Sequence, residues 1–231
     1  MQKFYSIAVD GPAGAGKSSM AKKLAAEFGL VYLDTGAIYR TVGLACFRKG
    51  VDRKDEAAVS AVLPGLDIQI RYDDQGLQHM LLNGEDVSDA IRLPEISLCA
   101  SDVSALPACR AYLLDMQRRF AREYNVILDG RDIGTVVLPD ADLKIFLTAS
   151  SEVRAHRRLL QLQEKGVEAD YDEILRDIIL RDEQDMNRAV APLRQAEDAV
   201  LVDTSELNAE QTIDALCALV RERLPGLACK A

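Results

Sequence analysis

Gly11, Pro12, Ala13, Gly14, Ala15, Gly16, Lys17 and Ser18 match the pattern G-x-x-x-x-G-K-[ST] at every specified position. The pattern suits phosphate binding for a physical reason. Glycines let backbone N–H groups wrap an anion, and the N-terminus of the helix that follows favours negative charge. Lys17 can neutralise β and γ oxygens, and Ser18 can ligate Mg2+. The plain alternative is a Gly-rich turn with a surface lysine. It is disfavoured because an apolar run precedes the turn and a helix-patterned run follows it.

Three further groups could do chemistry beside such a loop. Asp129 ends the apolar run Val126-Ile-Leu128, and ligands of parallel sheets gather at the carboxyl ends of strands, so it is a candidate for Mg2+ or its water shell. Between Tyr171 and Arg188, Ile174 and Ile178 share a helix face with Arg181, Asp185 and Arg188. That apolar stripe turns charged without changing face. Buried charge is costly unless paired, so the spacing predicts a polar cleft with an anionic ligand as the arginines' partner; a helix emerging into solvent would give the same pattern. Arg154, Arg157 and Arg158 form another basic face, either a solvated one or a lid that closes over ATP. His79 and His156 lack metal-ligand spacing and read as surface or packing residues.

These residues need elements to hold them. Residues 4–9 read as a buried strand, joined by the Gly-rich turn to a helix from Lys17 to Phe28. A helix covers about Ala37 to Arg48. Residues 66–87 alternate in short runs broken by Asp73-Asp74-Gln75-Gly76 and Asn83-Gly84, which predicts a small antiparallel sheet. Helices follow at about Pro94–Val103 and Pro107–Glu123, each with proline in its first turn. Then come strands at Val126–Leu128 and Leu143–Leu147, helices at Glu152–Gln163 and Tyr171–Arg188, a strand at Val200–Val202 and a helix at Ala209–Arg223. Strands alternating with helices imply an α/β fold, a parallel sheet covered on both faces.

The 231 residues carry a formal charge of −9, with 48% hydrophobic and 28% charged residues. That length fits one core with elaborations. The acidity argues against a nucleic-acid polymer or an anionic membrane as partner, and leaves small anions gathered by local basic residues. Cys46, Cys99, Cys109, Cys217 and Cys229 are odd in number and scattered, so they read as reduced thiols rather than a disulfide framework or zinc site. The apolar stretch at the N-terminus is too short for a signal peptide, and no run approaches a membrane span, so a cytoplasmic protein is expected.

Five segments together resemble the bacterial-type cytidylate kinase family of P-loop nucleoside-monophosphate kinases. They are Asp10-Gly-Pro-Ala-Gly-Ala-Gly-Lys17, Asp34-Thr-Gly-Ala-Ile-Tyr-Arg40, Asp129-Gly-Arg-Asp-Ile-Gly-Thr135, Lys144-Ile-Phe-Leu-Thr-Ala-Ser150 and Asn187-Arg-Ala-Val-Ala-Pro192. The first is common to many P-loop proteins, whereas the third and fifth are far narrower. The resemblance implies a kinase that uses ATP and Mg2+ on CMP or dCMP. It implies a monomer with its core in residues 1–34, 104–149 and 189–231, an acceptor region with the β insert at 35–103, a lid at 150–170 and a cleft-lining helix at 171–188. ATP would lie on residues 11–18 with Ser19 and Arg157. The acceptor would meet Thr35, Tyr39, Arg40, Ser101, Arg110, Arg131, Asp132, Arg181, Asp185 and Arg188. Among these, Ser101, Arg110 and Asp132 would face the base, Arg181 and Asp185 the sugar, and Arg40, Arg131 and Arg188 the phosphate. Lys17, Asp129, Arg131 and Arg188 would be catalytic, with Ser18 and Asp129 toward the metal. Thr35 stands where many members carry Ser, and Ser19 where Thr is common; both keep the hydroxyl.

A GTP switch would need an N-K-x-D segment, and a transporter ATPase an L-S-G-G-Q-like one; the sequence has neither. The remaining rivals are a P-loop kinase of another acceptor, such as UMP or shikimate, and an ATP-binding module that signals by changing shape.

Overall fold

The computed structural model describes residues 4–164 and 166–227. Residues 1–3 and Cys229, on which the leader and thiol readings partly fall, lie outside the described residues. The chain divides into two compact units, residues 4–30 with 125–227, and residues 31–124.

In the first unit, β1 (Ser6–Asp10) pairs in parallel with β6 (Val126–Asp129) on one side and β7 (Leu143–Thr148) on the other, and β7 pairs with β8 (Val200–Asp203). The strands of the parallel sheet in this unit thus run in the order β6-β1-β7-β8; β2 (Val31–Asp34) opens the second unit. β1 and β6 are buried at every residue, as expected of strands covered on both faces. β8 alternates in exposure because it is the edge. Helix α1 (Lys17–Phe28) buries Met20, Ala21, Leu24, Ala25 and Phe28 along one face, and Gly29 closes it in a left-handed conformation at φ 62°. Helices α6 (Ser151–Glu164), α7 (Tyr171–Asn187) and α8 (Ala209–Arg223) complete the unit. Asn208 and Gln211 form a reciprocal capping box at the start of α8.

The second unit continues from β2 into α2 (Thr35–Arg48), α3 (Glu56–Val62), a three-stranded antiparallel sheet, α4 (Pro94–Ser104) and α5 (Pro107–Glu123). The sheet, β3 (Ile68–Tyr72), β4 (Gln78–Leu82) and β5 (Glu85–Asp86), is the one expected from the two turn signals. Asp73 Oδ1 accepts from the N–H groups of Gln75 and Leu77 at the first turn. Asn83 and Gly84 both take positive φ at the second. His79, expected to be a surface or packing residue, is half-buried on this sheet, with one ring nitrogen 3.0 Å from Asp86 and the other 3.4 Å from Asp73. Helices α2 and α4 pack closely enough that a Cβ at Gly43 would sit 3.0 Å from the backbone of Cys99 and Ala100. The four described cysteines are buried, Cys46, Cys99 and Cys109 in this unit and Cys217 in the first.

Candidate functional site

The Gly-rich loop leaves β1 at its carboxyl end and enters α1, which satisfies the context the motif requires. Gly11 runs at φ 146°, and a Cβ there would overlap the carbonyl oxygen of Leu147 on β7, so the loop's first residue is fixed by contact with the neighbouring strand. Gly14 and Gly16 also take positive φ. Lys17 is 5% exposed and donates from Nζ to the Pro12 carbonyl at 2.7 Å, across its own loop. Burial and the nearby Arg131 charge pull its pKa down, while Asp129, Asp10 and Asp185 pull the other way without prevailing.

Ser18 Oγ donates to Asp129 Oδ2 at 2.6 Å. Two residues chosen on separate grounds, 111 positions apart, therefore converge at the strand ends. Hydroxyl and carboxylate oxygens are hard donors of the kind Mg2+ takes, so the pair fits such an ion.

The segment after β6 is tied to the loop through Asp10, whose role no spacing argument had suggested. Asp10 Oδ1 accepts from the Ile133 N–H at 2.8 Å and Oδ2 from the Gly134 N–H at 2.7 Å, the first N–H groups of a π-helical turn at Ile133–Val137. Burial pushes the Asp10 carboxyl up to about 6 despite these bonds. A carboxylate ending a buried strand beside a phosphate loop is the signal that singled out Asp129, and it applied equally here. The anchored turn begins directly after Arg131 and Asp132.

At the far end of α7 the charged face is satisfied by acids of the protein itself. Arg131 Nε donates to Asp185 Oδ2 at 2.7 Å. Arg188 donates to the Ala191 carbonyl at 2.6 Å and to Asp132 Oδ1 at 3.2 Å, and lies 3.9 Å from Asp185 Oδ1. The expectation that Arg188 depends on a ligand for its partner is corrected: Asp132 and Asp185 provide countercharge. Arg181 is exposed, and its charge acts on Asp185.

Burial alone would raise the Asp185 pKa, but the charge and hydrogen bond of Arg131, then Arg188 and Arg181, outweigh it and hold the group below its ordinary 3.8. A depressed acid stabilises the fold above its unfolded pKa and loses that contribution as pH falls through the folded one. Asp185→Asn should therefore cost about 3 kcal/mol near neutrality, because Arg131 keeps its charge without its partner. Urea unfolding across pH should show the gap to wild type constant down to about pH 5 and shrinking below about pH 4. A gap of constant size throughout would refute the ion-pair account.

On the basic face of α6, Arg154 and Arg157 bond within the protein while Arg158 is exposed. Arg154 is buried and bonded to Ala13, Ala149 and Asp182. Arg157 donates to the carbonyls of Thr204 and Leu207 and to Thr204 Oγ1.

In the second unit, Asp34 Oδ1 caps α2 through the Ala37 N–H, and Oδ2 takes Arg40 Nη2 at 2.7 Å. Arg40 Nε is buried with no hydrogen-bond partner among the described residues. Arg110, from α5, stacks 5.5 Å above the Tyr39 ring and donates to the Ser104 carbonyl. Thr35 is buried, and Ser101 is half-buried on α4.

Residues 7–222 match the family model for cytidylate kinase. A curated cytidylate kinase from Caldicellulosiruptor bescii is 48% identical over 94% of this chain and 96% of its own. One from Carboxydothermus hydrogenoformans is 48% identical over 93% of this chain and 96% of its own. A solved structure of an uncharacterized protein from Eubacterium ventriosum superposes with a TM-score of 0.54 at 11% identity, over 95% of this chain and 99% of that one, a likeness of fold alone.

Proposed function

The chain belongs to the cytidylate kinase family, and from this premise we infer that it transfers the γ-phosphate of ATP to CMP or dCMP, giving ADP and CDP or dCDP. The near-full-length identity to curated cytidylate kinases carries the reading. An acceptor phosphate oxygen attacks the γ-phosphorus while the bond to the β–γ bridging oxygen breaks. Such a step needs positioning and charge neutralisation more than covalent help from the protein.

ATP is assigned to residues 11–18 with Ser19 and Arg157, and Lys17 to the oxygens of the transferred group. Ser18 and Asp129 would hold Mg2+, which when bound offsets phosphate charge. Arg131 and Arg188 are assigned to the charge that develops between donor and acceptor. Thr35, Tyr39, Ser101, Arg110, Asp132, Arg181 and Asp185 are assigned to the acceptor, together with Arg40, whose buried Nε–H suits an anionic oxygen. We read the protein as a monomer working on small molecules in the cytoplasm. Its net charge of −9 suits neither a nucleic-acid polymer nor an anionic bilayer, and no helix among the described residues is long and apolar enough to cross a membrane.

A coupled assay of ADP release over CMP, dCMP, UMP and shikimate tests this. Turnover with CMP and dCMP is expected; turnover with shikimate alone, or with none, would overturn it.

A further inference from the structure

Arg154 stands in the first turn of α6, just past the end of β7, and is 5% exposed. Its guanidinium is shared among three parts of the first unit. Nε donates to the Ala149 carbonyl at 2.9 Å, Nη1 to the Ala13 carbonyl in the phosphate loop at 2.9 Å, and Nη2 to Asp182 Oδ2 on α7 at 2.6 Å. The aliphatic stem lies along the loop, since a Cβ at Gly14 would sit 3.5 Å from Arg154 Cβ. Asp182 is nearly as buried, and its side chain pairs with no other cation among the described residues.

Two consequences follow from covalent geometry. In a trans peptide the C=O and the following N–H point in opposite directions. Pulling the Ala13 carbonyl toward Arg154 therefore turns the Gly14 N–H away from Arg154, as a loop that presents N–H groups to phosphate requires. Asp182 also lies three residues before Asp185, the partner of Arg131, so the same guanidinium sets the axial position of α7 where that ion pair forms. A planar guanidinium sends its donors out in fixed, widely spaced directions toward these three acceptors, whereas the donors of a lysine ammonium converge on one nitrogen.

We propose that Arg154 is a positioning residue that acts through Asp182 and the Ala13 carbonyl, locking the phosphate loop and the charged end of α7 in one register. It is distinct from a lid arginine that touches ATP. The proposal rests on the ATP-dependent kinase reading, so its test includes a measurement that needs no acceptor. ADP affinity is measured by isothermal titration calorimetry for wild type, Arg154→Lys, Asp182→Asn and the double variant, with KM for ATP and for CMP measured alongside. Each single variant should weaken ADP binding about tenfold and raise KM for ATP in step, and the double variant should be no worse than either single. KM for CMP should also rise, by about threefold, because the end of α7 that Arg154 holds carries Arg181, Asp185 and Arg188, which are assigned to the acceptor side.

Wild-type ADP affinity in a folded Asp182→Asn protein would overturn the proposal, and would assign the effect of Arg154→Lys to direct contact with nucleotide. Multiplicative losses in the double variant would overturn it as well. So would a lowered Tm with unchanged ADP affinity, which marks a purely structural ion pair. If Arg154→Lys fails to fold, the Asp182→Asn arm decides alone by the same ADP criterion. Failure of the kinase reading would show instead as wild-type protein that binds ADP but does not turn over CMP.

Discussion

Replacing Lys17 by Ala is expected to lower kcat by at least about 10²-fold, since phosphoryl transfer depends chiefly on charge neutralisation and Lys17 is assigned to the transferred group. The side chain begins the first turn of α1, and its ammonium is withdrawn from water and held over the loop by the Pro12 carbonyl. Burial and Arg131 weaken its hold on its proton, and the negative charge of a triphosphate placed there would act in the opposite direction. Such a preorganised cation stabilises charge more than a solvated one, because the surroundings need not reorient as the reaction proceeds. Single-turnover measurement at saturating ATP decides the matter. A variant that binds ATP weakly yet turns over at the wild-type rate would show that Lys17 only anchors the nucleotide.

The second large effect is base choice. CMP is expected to exceed UMP in kcat/KM by on the order of 10²-fold or more. Cytosine offers an amino donor at position 4 and an acceptor at N3, whereas uracil presents a carbonyl and an N–H. With the Asp132 carboxylate accepting from the amino group and Arg110 donating toward N3, uracil sets like against like at both places. Each buried polar group left unpaired costs roughly 1–3 kcal/mol. Both side chains are held by the protein, Asp132 by Arg188 and Arg110 by the Ser104 carbonyl and the Tyr39 ring, so neither swings freely to suit the wrong base. Asp132→Asn, whose amide can turn to donate toward a carbonyl, should narrow the gap mainly by losing CMP activity. Equal use of UMP by the wild-type protein would sink the assignment, and so would full discrimination in the Asn variant.

The elements were legible where local signals are strong. Helices α1, α5 and α8 begin and end as the spacing, prolines and apolar faces imply, and the Asn83-Gly84 turn marks the hairpin. β2 was not foreseen, because Val31-Tyr-Leu-Asp34 is four residues long and runs into α2 with no turn residue between them. The same holds for α3, a seven-residue helix recognisable mainly by its Asp55 cap. The π-helical turn at Ile133–Val137 depends on Asp10, 123 positions away at its nearest bond, and helical periodicity carries no such information. Likewise the pattern of α7 showed that charge replaces an apolar stripe, yet Asp132, 56 positions from Arg188, belongs to another element. Arg154 shows the limit most plainly. Its i, i+3, i+4 spacing with Arg157 and Arg158 suggests one shared face, while its own partners come from the phosphate loop, the end of β7 and α7.

The acids that face Arg131 and Arg188 bear on how products leave. An arginine already paired with a carboxylate gives up part of that interaction when phosphate arrives, so it holds the anion less tightly than a bare guanidinium would. Asp185 and Asp132 stand at 2.7 Å and 3.2 Å from those guanidinium groups, and would take them back from a departing phosphoryl group. On the assignment of Arg131 and Arg188 to phosphate, the carboxylates would be internal competitors that shorten the residence time of a highly charged product, a step that limits many enzymes whose chemistry is fast.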